Sequence, residues 1–82
     1  MIVIYDFMLT TLRLRGDELL VYAIIFGFTR EPECRWKINR DYISKKLGLT
    51  EAAIDAICDS LVEKDVIGFE NPHSVYVKDW EE

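Results

Sequence analysis

Little in this sequence is of the kind from which reactive sites are built. Its 82 residues include two cysteines, one histidine, four glycines and two prolines. Cys34 and Cys58 are far apart, and neither has Cys or His neighbours at metal-ligand spacing. His73 stands in a polar stretch with no nucleophile or carboxylate pattern beside it, which argues against acid–base or nucleophilic chemistry. Gly16, Gly27, Gly48 and Gly68 occur singly, so no loop is rich enough in glycine to cradle a phosphate. Asp41, Asp55 and Asp59 do not follow the spacing of a calcium loop. The expectation is a protein without catalytic residues, metal, cofactor or small-molecule substrate. The longest unbroken apolar run, residues 19–26, is eight residues, far short of a bilayer span. The N-terminus lacks a basic region followed by a long apolar stretch, so no secretory signal is evident, and the expected compartment is the cytoplasm.

What is present suffices for one small core. Half of the residues are apolar and 12% are aromatic, which argues against a disordered chain. The length is near the lower limit for a self-sufficient core, so residues 1–82 read as one domain. The formal net charge is −5, which argues against indiscriminate phosphate binding. That charge is unevenly spread. Residues 30–49 carry six bases and three acids, whereas residues 50–82 carry two bases and nine acids.

The stretch from Asn39 to Lys64 organises the rest. Asn39 can cap a helix over residues 40–47, Gly48 follows where a left-handed residue closes a helix, and Thr50 can cap a second helix. In the second helix Ile54, Ile57, Cys58, Leu61 and Val62 recur at helical spacing as an apolar stripe, where Cys58 is a small core residue. Helix, short glycine turn, helix is the pattern of the helix-turn-helix. Upstream, the β-branched residues 1–5 fit an edge strand or an arm laid on a neighbour. Phe7, Met8, Leu9, Leu12 and Leu14 suggest a short helix that Gly16 breaks. Asp17 and Glu18 then open a helix to about Phe28, apolar nearly all round and therefore a central pillar touched by every other element. Residues 29–33 read as a loop, and residues 34–38 as a short strand with Trp36 and Ile38 facing inward. Residues 66–70 and 75–78 read as strands about a turn at 71–74, a hairpin in the position of a wing. Trp80 is expected against the core. The expected fold class is α+β, mostly α, with winged-helix architecture: a helix-turn-helix plus a C-terminal β-hairpin wing.

With that order of elements, the chain resembles the N-terminal winged-helix domains of phage and mobile-element replication proteins of low-GC Gram-positive bacteria. The resemblance is carried by LRGDELLVYAIIFGF at 14–28, DYI at 41–43 with LGLT at 47–50, and LVEKDVI at 61–67, and it covers roughly residues 8–70. It implies a DNA-binding protein of replication or transcriptional regulation, with the helix from Thr50 in the major groove and Thr50, Ala52 and Ala53 at its leading end. Family members usually carry Lys or Arg at the positions filled here by Glu51, Ala52, Ala56 and Asp59.

Two candidate surfaces follow. Arg35, Lys37, Arg40, Lys45 and Lys46 form a basic cluster that suits phosphate contacts by the first helix of the motif and the strand before it; otherwise it is a solvated face, or one paired with the acidic helix. Glu51, Asp55, Asp59 and Glu63 form an acidic row at four-residue spacing, which repels phosphate and weakens the helix slightly. That row is a solvated face or a docking surface for a basic protein or for the basic cluster of a second copy. The leading expectation is DNA binding. The alternative is a protein–protein interaction module that keeps the winged-helix core and no longer binds DNA.

Overall fold

The structure, a computed structural model, describes residues 2–29 and 35–78. It is α+β, with four helices and a three-stranded antiparallel sheet. Helix α1 spans Asp6–Thr10, α2 Gly16–Phe28, α3 Arg40–Leu47 and α4 Glu51–Glu63; the strands are β1 Trp36–Lys37, β2 Ile67–Asn71 and β3 Ser74–Val77. No described helix is long and apolar enough to cross a membrane.

Helix α2 is the pillar that its composition demands. All six residues from Val21 to Phe26 are buried. A helix buried over consecutive positions must be covered on several sides, and α2 packs against α1, α3, α4 and β3. Each buried aliphatic or aromatic side chain adds about 1.5–3 kcal/mol relative to an exposed one. The expectation that every element touches α2 needs adjusting: β2 packs chiefly on β3 and α4, and β1 is reached where Phe28 stacks on Trp36 with ring centroids 4.2 Å apart.

The region before α2 departs from its sequence pattern. Residues 2–5 form no strand, despite their β-branched composition, because no strand of the described residues pairs with them to complete a ladder. Helix α1 ends at Thr10, so the helical spacing does not carry on to Leu14. The N–H groups of Thr11 and Leu12 both donate to Phe7 O, and Arg13 takes a left-handed φ of 58°. Leu14 is buried all the same, in the connection rather than in a helix. Arg15 fastens this corner by donating to the carbonyls of Leu9 and Leu14.

The α3–turn–α4 pair forms as its capping residues require. Asn39 Oδ1 accepts from Tyr42 N at 3.0 Å, Gly48 closes α3 at φ 72°, and Thr50 Oγ1 accepts from Ala53 N at 3.1 Å. Each such cap stabilises its helix by about 1 kcal/mol. On α4, Ile54, Cys58 and Leu61 are buried and Ile57 is half-buried, but Val62 is 42% exposed. At 3.6 residues per turn Val62 lies roughly 80° round from Ile54. That rotation turns it out of the core toward the hairpin.

A hydrogen bond from Ser60 and an ion pair from Lys64 tie the end of α4 to Glu18 at the start of α2; Lys64 Nζ lies 2.5 Å from Glu18 Oε1. The Lys64 hydrogen bond first, then that of Ser60, holds the Glu18 carboxyl below its ordinary range. A carboxylate with a lowered folded pKa contributes stability that is present above its unfolded value and lost as pH falls through the folded value. The urea midpoint should therefore drop as pH falls below the ordinary value of 4.5, and the Glu18→Gln variant should drop less over the same range. Equal drops in the two proteins would remove this contribution.

The sheet has the order β1-β3-β2, with Trp36 opposite Val75 and Ile67 opposite Val77. Asn71 Oδ1 accepts from His73 N at 2.8 Å, the side-chain turn that lets β2 reverse into β3. Val75 and Val77 face the core and Tyr76 lies on the outer face over Gly68. A Cβ at Gly68 would lie 2.5 Å from Tyr76 Oη, and Arg35 covers the same ring at 4.2 Å. Gly68→Val should therefore destabilise the protein by about 1–3 kcal/mol, read as a lowered melting temperature. In a Tyr76→Ala background most of that cost should vanish. Trp80, Cys34 and most of the expected loop at 29–33 lie outside the described residues. Thr29 is the exception: buried, it donates its hydroxyl to Ile25 O at 2.8 Å.

Candidate functional site

The capped turn and the hairpin bring α4 to the surface with its acids outward. Glu51, Asp55, Asp59 and Glu63 are all exposed, one per turn along the helix. Asp55 alone among them meets a base: Arg40 Nε lies 2.5 Å from Asp55 Oδ1. For Glu51, Asp59 and Glu63 the described residues provide no ion pair. Beside this row lies a groove of about 640 Å³ between α4 and the hairpin. Cys58, Val62, Phe69 and Pro72 form its apolar part, and Arg40, Asp55 and Asp59 its charged rim. Arg40 closes one end by also donating from Nη2 to Pro72 O at 3.3 Å. Burial pushes the Cys58 thiol up to about 11, so the group at the bottom of the groove is a neutral, poorly nucleophilic thiol.

The five bases singled out in the sequence do not form one uninterrupted positive surface. Arg35 pairs with Glu70 at 3.2 Å on the outer face of the sheet, and Arg40 is held by Asp55. Lys45 pairs with Asp41 one turn back on α3, also at 3.2 Å. Lys37, on β1, and Lys46, near the end of α3 with its ammonium 5.9 Å from the Tyr42 ring centroid, have no acid partner among the described residues. At the leading end of α4 the Thr50 hydroxyl is engaged as the cap, Ala52 is exposed and Ala53 is half-buried. Arg40–Asp55 realises the expected pairing of the basic cluster with the acidic helix, whereas Arg35–Glu70, to the hairpin, was not among the expectations. Arg40 and Asp55 are 15 residues apart, and Arg35 and Glu70 35 apart.

The arrangement can do two things chemically. It can offer carboxylates beside an apolar groove to a cationic surface, and it can offer a few lysines to an anion. Exposed like charges about 4 Å apart repel by about 1 kcal/mol in water. Three unopposed carboxylates on the helix that would enter a groove therefore outweigh two unopposed lysines elsewhere. No group of three or more His, Cys, Asp or Glu side chains that could hold a metal occurs among the described residues. Comparison with protein-family models, curated proteins and solved structures finds no match to the chain.

Proposed function

We propose that this chain is a winged-helix domain whose α4 face binds a cationic protein segment rather than duplex DNA. The observation that carries the reading is the exposed carboxylate row of α4 running beside an apolar groove, with Asp55 alone neutralised. The winged-helix assignment rests on the order α3, glycine turn, α4, hairpin, and on the resemblance to replication proteins of phages and mobile elements. On that resemblance, the partner is to be sought among the proteins of replication or transcriptional regulation. Carboxylates at the rim steer a basic partner and fix its register, while the groove supplies the apolar contact that gives affinity. The test is anisotropy of a labelled short oligolysine–leucine peptide and of a labelled duplex, each titrated with the full chain at low salt. The peptide should bind and lose affinity when Asp59 and Glu63 become Gln; the duplex should not bind.

A second reading, DNA binding, is favoured by Lys37 and Lys46, which are exposed without acid partners among the described residues, and by exposed Ala52 at the start of α4. Under it, duplex binding is detected at low salt, weakens steeply with added salt, and weakens further in the Lys37→Glu and Lys46→Glu variants. That result would displace the protein-docking reading.

A further inference from the structure

A cleft of about 200 Å³ lies along the last turns of α2, and it shares no lining residue with the groove beside α4. Aromatic side chains from three parts of the chain line it: Tyr5 before α1, Phe26 and Phe28 on α2, and Tyr42 on α3. Phe28 is 47% exposed, Tyr42 37% and Tyr5 36%. Tyr5 stands at 69° to Phe26 with ring centroids 5.5 Å apart, and Phe28 at 86° to Tyr42 at 6.0 Å. Rings set at such angles wall a space in different planes instead of stacking flat on one another. Trp36, outside the lining, lies nearly parallel to Phe28 at 4.2 Å and braces it.

The electrostatics of the cleft favour a cation. Among the described residues no charged side chain lines it, and the faces of aromatic rings carry negative potential. It also lies at the negative end of the α2 dipole. There the carbonyls of Gly27 and Phe28 accept no hydrogen bond among the described residues, and no base stands in the last turn. The net charge of −5 attracts cations to the molecule as a whole. The ammonium of Lys46 already lies 5.9 Å from the Tyr42 ring centroid, at the outer reach of such contacts, without lining the cleft. The same features select the kind of cation. A metal ion or a primary ammonium needs several oxygen ligands to replace its water, and the lining offers no carboxylate. A quaternary ammonium donates no hydrogen bond and spreads its charge over methyl groups, which aromatic walls accommodate. Size agrees, since a cavity of about 150 Å³ takes benzene, a guest comparable in bulk to a trimethylammonium group. We propose that this cleft binds the trimethylammonium group of a small free solute of the choline class. The space holds such a headgroup and little more, and no base lines it to meet the phosphate of a lipid.

The test is a titration of the isotope-labelled full chain with choline chloride, followed by the amide resonances of Gly27 and Phe28, with sodium chloride at equal ionic strength as the blank. Choline should bind with a dissociation constant on the order of millimolar. Its neutral isostere, in which a tert-butyl group replaces the trimethylammonium, should bind about tenfold more weakly, and so should ethanolamine. Phe28→Leu and Tyr42→Leu keep apolar bulk but remove a ring, so each should weaken choline by at least about threefold while the circular dichroism is unchanged. The isostere comparison uses the unaltered chain, so it decides the matter even where a leucine variant unfolds. Equal affinity for choline and the neutral isostere overturns the inference and leaves an ordinary apolar cleft. So does the absence of any choline-dependent shift up to about 100 mM, or choline affinity untouched by both folded leucine variants. Phosphatidylcholine vesicles or a trimethyllysine peptide bound about tenfold more tightly than choline would likewise overturn the assignment to a free solute.

Discussion

Ile25→Ala should leave the protein largely unfolded at moderate temperature. Ile25 is fully buried in the middle of α2, the helix against which α1, α3, α4 and β3 all pack. Truncating a buried isoleucine costs about 2–5 kcal/mol through lost transfer free energy and the cavity left behind. A chain of this length holds only about 4–12 kcal/mol in total. The loss is thus a large share of the whole, and the melting temperature should fall by at least about 10 °C. Ile25→Val, which removes one methylene, should cost about 0.5–1.5 kcal/mol. Gly27→Ala is the control two residues away. Its Cβ enters open space, so the substitution should be neutral or stabilise by up to about 1 kcal/mol through helix propensity. Similar small effects at Ile25 and Gly27 would show that α2 is not the centre of the core.

Exchanging Glu51, Asp59 and Glu63 for lysine should give the chain the duplex binding that the proposed reading denies it. Each exchange raises the charge by two, so the formal net charge moves from −5 to +1. Asp55 is kept, because Arg40 needs it. Three new phosphate contacts would give duplex binding with a log–log salt slope of roughly −2.7. The same variant should lose the oligolysine–leucine peptide completely. Both effects are read in one anisotropy experiment, and unchanged circular dichroism would show that the helix survives. If the triple-lysine variant folds and still ignores duplex, the α4 face lacks the shape to enter a groove, and the winged-helix assignment suffers along with the DNA reading.

Local chemistry was the legible part of this sequence. Asn39, Gly48 and Thr50 act on backbone groups three or four residues away, so their roles follow from position alone. The apolar run of α2 likewise announces its burial. Residues 2–5 mislead because strand propensity needs a partner strand, which composition cannot supply. Val62 misleads because helical spacing gives an arc, and the far side of that arc is core or surface depending on where the hairpin lies. Glu18 reads naturally as a dipole partner at the start of α2. Its stronger partners, Ser60 and Lys64, come from the opposite end of another helix. Pairing of the basic cluster with the acidic helix was one expected reading, but which bases are neutralised was hidden for the same reason. Counting bases between residues 30 and 49 gives a positive segment, but folding sets Glu70 on Arg35 and Asp55 on Arg40.

The groove between α4 and the hairpin is pinned at both ends. Arg40 spans Asp55 and Pro72 O at one, and at the other Val66 N donates to Leu61 O while Lys78 N donates to Val66 O. Like a picture frame with two rails, it can widen only by breaking the Arg40 bonds that tie α4 to the hairpin. A guest whose girth already matches leaves those bonds intact and meets walls that need no reordering.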